Sequence, residues 1–239
     1  VKHCIRWFLF RFFRTSKLDT FNVFIHSWID ERVFRRLPYY NDSYFNELEN
    51  VLKKQRYSVG RLAPLRISLR NVLKVNRYFD NIIYPLAFVT LGDFFKNVFT
   101  KFKVAINNQK FEFVKDVKIL SRLLENEIYK ENKERIFLEN LLLFSAYKSI
   151  SLEIKDHSIL IYPFENQPWE KMFNLAFARF NKIAYQHSTI PFNWLDFRVS
   201  QYEDSSLSPK IILTAGPKWS TFLKSFYRDS TIEIAGALR

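Results

Sequence analysis

Apolar residues in this chain fall in short runs separated by polar turns, and the runs change period along the sequence. Phe21-Asn22-Val23-Phe24-Ile25-His26 is a compact apolar run that predicts a buried strand. It passes through Ser27-Trp28-Ile29-Asp30 and, further on, reaches Asp42 to Lys54, where Tyr44, Phe45, Leu48, Val51 and Leu52 share one face of a predicted helix. From Leu65 to Lys103 the spacing is mostly helical and rich in aromatic residues, with breaks expected at Pro85 and Gly92. A charged stretch from Glu125 to Glu134 leads into Ile136, Leu138, Leu141, Leu142 and Ala146, which continue at helical spacing.

The last third alternates more regularly. His157 to Tyr162 predicts a strand, Pro168 to Phe180 a helix with proline in its first turn, and Ile183 to Gln186 another strand. Gln201 to Pro209, rich in Ser and carrying Glu203 and Asp204, reads as a linker. Beyond it come a strand over Lys210 to Thr214, a turn at Gly216-Pro217, a helix over Lys218 to Arg228 and a strand over Thr231 to Ala235. Strands alternating with helices predict an α/β fold with a parallel sheet. The expected division is a basic aromatic segment over 1–20, a lobe over 21–200, a linker over 201–209, and the first β-α-β unit of a second, truncated lobe over 210–239.

A parallel sheet gives this pattern a chemistry. Side chains at the carboxyl ends of neighbouring parallel strands converge on the crevice where such sheets bind ligands. Glu165 and His187 each follow one of two successive predicted strands, so they are expected to share an edge and a site. An imidazole titrates near neutral pH, which suits His187 to a general base, with Glu165 orienting it or binding hydroxyls. Gln186 and Ser188 flank the histidine and can bind polar substrate groups, while Trp28, Asp30 and Glu31 form a carboxylate-and-aromatic grouping of the kind sugars favour. Glu170 stands in the first turn of its helix, where the helix dipole accounts for it and a substrate contact is the alternative. Gly216, between a strand and a helix, would let backbone approach a phosphate. The sequence carries no Gly-rich dinucleotide fingerprint, phosphate-binding loop or HExxH motif, so neither a bound cofactor nor a metal site is expected.

Composition narrows the setting. With 239 residues and 48% hydrophobic content the chain can bury a substantial core, and no run approaches the roughly 18–20 apolar residues of a spanning helix. The single cysteine, Cys4, excludes an internal disulfide and favours a reducing, cytoplasmic setting. A net charge of +13 reads first as a solvated basic surface around an aromatic core, with nucleic acid, nucleotide-sugar donors and anionic lipids as alternative negative partners. Nucleic acid is disfavoured, because most Lys and Arg residues are spread along the chain without a recognisable binding motif. Charge is locally ordered at the N-terminus, where Arg6, Arg14 and Lys17 cluster on one side of a predicted helix, Arg11 lies at its margin and aromatic residues fill the rest. That pattern fits an interfacial helix on an anionic membrane and a buried terminal helix equally.

Taken in order, FIHSWIDERVF with NDSYFNELENVL, YPFENQPWEKM, IAYQHSTIP, IILTAGPKW and IEIAGALR resemble the landmarks of a bacterial surface-carbohydrate biosynthesis family. That family is similar to GT-B glycosyltransferases, in which two Rossmann-like lobes enclose the active site. The resemblance runs over nearly the whole chain, with little contribution from Leu65 to Leu152. It implies an acceptor-side lobe followed by the start of a donor-side lobe, and transfer of a sugar from a nucleotide-sugar to a glycan or lipid-linked glycan acceptor. It also implies chemistry without a bound catalytic metal, in the cytoplasm or at the inner face of the cell membrane, and a base-like role for His187. With most of a donor lobe absent, residues 1–239 alone are expected to be inactive. Two rivals stand beside this reading: a non-catalytic carbohydrate-assembly scaffold with the same fold, and a basic nucleic-acid-binding α/β protein.

Overall fold

The structure is a computed structural model that describes residues 18–29, 32–33, 40, 42–64, 69–106, 135–190, 197, 199 and 203–237. The basic N-terminal segment, Asp30, Glu31 and the charged stretch before Arg135 lie outside the described residues. Seven strands form one sheet: β1 (Val23–His26), β2 (Val59–Leu62), β3 (Ile82–Ile83), β4 (Ile159–Pro163), β5 (Asn181–Gln186), β6 (Ile211–Thr214) and β7 (Thr231–Ile234). Every neighbouring pair is parallel, in the order β3-β2-β1-β4-β5-β6-β7. The chain therefore winds outward from β1 to β3, returns to the centre, and winds outward again from β4 to β7. Such a Rossmann-like, doubly wound sheet has its topological switch between β1 and β4.

The helices are α1 (Leu48–Lys54), α2 (Leu69–Tyr78), α3 (Leu91–Ile106), α4 (Arg135–Glu153), α5 (Pro168–Ala176) and α6 (Pro217–Lys224). Strand alternation sorts side chains onto two faces. Val23, Ile25, Val59, Ile161 and Tyr185 form one apolar cluster with Phe45 and with Leu48 and Leu52 of α1. Phe24, Leu160, Tyr162, Ala184 and Ile212 belong to the larger core with Tyr147 and Ile150 of α4, Phe173 of α5 and Leu223 of α6.

The second-lobe expectation over 210–239 is corrected. Strand β6 pairs with β5 in the register Ile183↔Ile211 to Gln186↔Thr214, and β7 pairs with β6, so this β-α-β unit extends the first sheet. Its Ile212, Leu223, Tyr227 and Ile232 join the main core. The presumed linker is docked as well: Leu207 O accepts from Asn174 Nδ2 at 2.9 Å, and Glu203 pairs with Lys171 of α5 at 2.6 Å. A β-α-β pattern specifies the unit but not the edge it joins, and the outer edge of β5 was open.

Two strands escape the periodicity. In β2, Val59-Gly60-Arg61-Leu62, all four residues are buried although one is charged. Gly60 is there because a Cβ would stand 2.8 Å from a Phe21 ring carbon and 3.0 Å from Ile83 Cδ1. Strand β3 is only two residues long, inside a stretch expected to be mostly helical. Helix α1 also starts later than its apolar face suggests, at Leu48, after a turn in which Asn46 takes a left-handed φ of 45°. Gly92 produces no kink; it sits in the first turn of α3, which Thr90 opens by accepting from Asp93 N at 3.0 Å.

Candidate functional site

Parallel register builds the site edge. Pairing of β4 with β5 runs through Ile161↔Ile183 to Pro163↔Tyr185, and two residues further on it carries Glu165 to the level of His187. Both residues keep the parity of Ile161 and Tyr185, so they stand on the same face. Their side chains meet: His187 Nε2 lies 3.3 Å from Glu165 Oε1. The imidazole side chain is 4% exposed and the carboxylate 36%. The other ring nitrogen, His187 Nδ1, is buried and has no hydrogen-bond partner among the described residues. A proton on Nε2 donated to Glu165 would leave Nδ1 as a proton acceptor.

A second layer fixes what lies over this pair. The Tyr44 ring meets the His187 ring edge-on at 4.8 Å between centroids. Asp42 shapes the turn that presents Tyr44, its Oδ1 accepting from Tyr44 N at 2.8 Å and from Phe45 N at 3.0 Å. The other Asp42 oxygen pairs with Arg61 of β2, which also pairs with Glu49 and lies 3.8 Å over the Tyr40 ring. Asn81 Nδ2 donates to Glu49 Oε1 at 2.8 Å. Burial alone would raise the Glu49 pKa, but Arg61 and Lys53 outweigh it and hold the carboxyl below its ordinary range. Arg61 is thus a buried cation held between two carboxylates, and through Asp42 it anchors the turn above His187.

Glu170 needs a different account from the helix dipole. It is 1% exposed, and its two oxygens accept from Glu165 N at 2.9 Å and Asn166 N at 3.0 Å. Those amides belong to the turn between β4 and α5, where Asn166 adopts a left-handed φ of 55°. Burial raises the Glu170 pKa well above the usual carboxyl range, with the backbone N–H groups opposing. Its work is to hold the turn that carries Glu165. Gln186, fully buried, ties strand ends together: its Oε1 accepts from Ala215 N at 3.2 Å and its Nε2 donates to Ser188 O. Gly216 is extended at φ −179°, a conformation open to any residue, and nothing lies within 4 Å of where its Cβ would be.

A residue that the sequence reading passed over stands at the end of β1. His26 is fully buried on the opposite face of the sheet, stacked on Trp169 at 4.4 Å and met edge-on by Trp28 at 5.9 Å. Its Nε2 shares a 2.8 Å hydrogen bond with the Tyr147 hydroxyl, and its Nδ1 has no hydrogen-bond partner among the described residues. Burial pushes its pKa down to about 3, so the ring is neutral across the physiological range. The signal for it in the sequence is a histidine closing an apolar strand. Trp28 therefore belongs with His26, not with the Glu165–His187 pair. Among the described residues no group of three or more His, Cys, Asp and Glu side chains is placed to hold a metal ion.

No protein-family model, curated protein or solved structure matches the chain. The geometry of the sheet edge therefore carries the functional argument.

Proposed function

We propose that the protein is a GT-B-like glycosyltransferase of bacterial surface polysaccharide biosynthesis, moving a sugar from a nucleotide donor to a glycan or lipid-linked glycan acceptor. The observation that carries this reading is the His187–Glu165 pair at the carboxyl edge of a parallel sheet, with the imidazole buried and Nδ1 unpartnered among the described residues. In the proposed step His187 Nδ1 takes the proton from an acceptor hydroxyl as that oxygen bonds to the anomeric carbon of the donor. The bond from that carbon to the phosphate oxygen breaks, and the nucleotide leaves with the electron pair. Glu165 stabilises the imidazolium that forms. Because the imidazole side chain is 4% exposed, the side chains over it, Tyr44 among them, move aside when acceptor binds.

Whole-protein activity of this type uses a cytoplasmic nucleotide-sugar pool, which sets the expected location. The test is nucleotide release from a panel of nucleotide-sugars with glycan acceptors, using the full-length gene product. His187→Ala should lower turnover about 100-fold or more, the usual contribution of a positioned base, while its melting curve stays near that of the parent. Near-normal turnover by folded His187→Ala protein would refute the base assignment. Absence of nucleotide release across the panel by the parent protein would favour the scaffold reading.

A further inference from the structure

Helix α3 packs through one face and leaves a second, aromatic face in solvent. Its inward face is settled: Phe94 is buried in a cluster with Leu142 and Ala146 of α4, with Val98 and Leu138 packed against it. Asn97 Nδ2 secures the same contact by donating to Ser145 Oγ at 2.8 Å and Leu141 O at 3.3 Å. The helix is therefore anchored without any help from Leu91, Phe95, Phe99 and Phe102. These four are 51%, 62%, 69% and 62% exposed. Spaced by four, four and three residues, they form a single stripe about 16 Å long along the helix axis. Lys96 and Lys103, both exposed, border the stripe on the side away from α4. The one acidic residue of the helix, Asp93, lies on the far side and is engaged with Thr90, whose Oγ1 donates to Asp93 Oδ2 at 2.6 Å.

We propose that this face of α3 docks on the surface of an anionic phospholipid bilayer, with the Phe rings in the acyl boundary and the two lysines at the headgroups. Solvent-facing phenylalanines at this density are uncommon on a soluble surface and mark an interaction face. The stripe amounts to roughly 400–500 Å² of apolar surface. A second copy of the chain is disfavoured as occupant by charge, because two molecules at +13 repel each other. Charge selects the lipid: the protein carries +13 overall, and the flanking lysines add local attraction to an anionic surface. No helix among the described residues is long and apolar enough to cross a membrane, so the contact is interfacial. This inference stands on packing and charge and does not rest on the transferase reading.

The experiment is co-sedimentation of the 239-residue chain with phosphatidylcholine vesicles, with and without phosphatidylglycerol. Binding should require the anionic lipid. Phe95→Ser, Phe99→Ser and Phe102→Ser together should weaken it by at least about tenfold, with circular dichroism and melting unchanged because the side chains are exposed. Lys96→Gln with Lys103→Gln should weaken it several-fold and flatten its salt dependence. A parallel variant with Arg6, Arg11, Arg14 and Lys17 replaced by Gln tests the other basic, aromatic segment. The proposal is overturned if the triple Phe variant binds like the parent, or if only the N-terminal variant loses binding. It is equally overturned if the parent ignores vesicles but self-associates through a contact that the Phe changes abolish.

Discussion

At the scale of single residues, Glu170 shows how a buried carboxyl can serve a neighbouring one. It accepts two backbone N–H groups from the turn that carries Glu165, and one of them belongs to Asn166 in its left-handed conformation. Removing both acceptors strands those amides, and unsatisfied buried donors cost about 1–3 kcal/mol each. Glu170→Ala is therefore expected to destabilise the protein by about 2–4 kcal/mol in chemical denaturation. Glu170→Gln keeps one carbonyl oxygen and should lose about half as much. A cost within about 0.5 kcal/mol for the Ala variant, the range of a surface change, would mean the carboxyl does not hold the turn. The pairing of Glu165 with His187 was legible in sequence because each follows a strand by a fixed count and parallel strands share direction. The roles of Glu170 and His26 were not legible, because both depend on what packs around them.

At the scale of elements, the apolar runs in β4 to β7 identified themselves, since each lies between turn residues and next to a helical period. Strand β2 did not, because Arg61 looks solvated until Asp42 arrives from the β1–α1 connection and Glu49 from the first turn of α1. The same arrangement makes an element-level test. Arg61→Met removes the cation and leaves two carboxylates buried against each other. Breaking a buried pair from one side costs about 3–5 kcal/mol, and the loss should appear as a lower melting temperature. Neutralising all three positions, Arg61→Met with Asp42→Asn and Glu49→Gln, should recover part of that loss. If the single change is as mild as an exposed Arg replacement, β2 is not tied to the 42–49 segment through this network. Asp42 would then hold the Tyr44 turn through its own bonds to Tyr44 N and Phe45 N without help from Arg61.

At the scale of the whole molecule, one sheet spans the described chain from β1 to β7, and strand β1, beside the topological switch, ends on a neutral, buried histidine. That has a consequence for stability against pH. The folded protein holds His26 at a pKa of about 3, while an unfolded chain holds histidine near 6.5. A depressed folded pKa means that the unfolded state binds the extra proton first, so stability is fully present above about pH 6.5 and falls as pH drops toward 3. Between pH 7 and pH 4.5 this residue alone should remove about 2–3 kcal/mol. Carboxylates that lose their partners at acid pH, and the growing positive charge of a chain already at +13, push the same way. Comparison with His26→Gln separates the contributions, because Gln can still hydrogen-bond the Tyr147 hydroxyl but does not titrate. The variant should be less stable at pH 7, where it loses the stack on Trp169, and the gap should narrow by about 2–3 kcal/mol on going to pH 4.5. Parallel pH profiles for the two proteins would show that His26 takes up its proton as readily in the folded chain as in the unfolded one, which is incompatible with its burial among Trp28, Tyr147, Trp169 and Phe173.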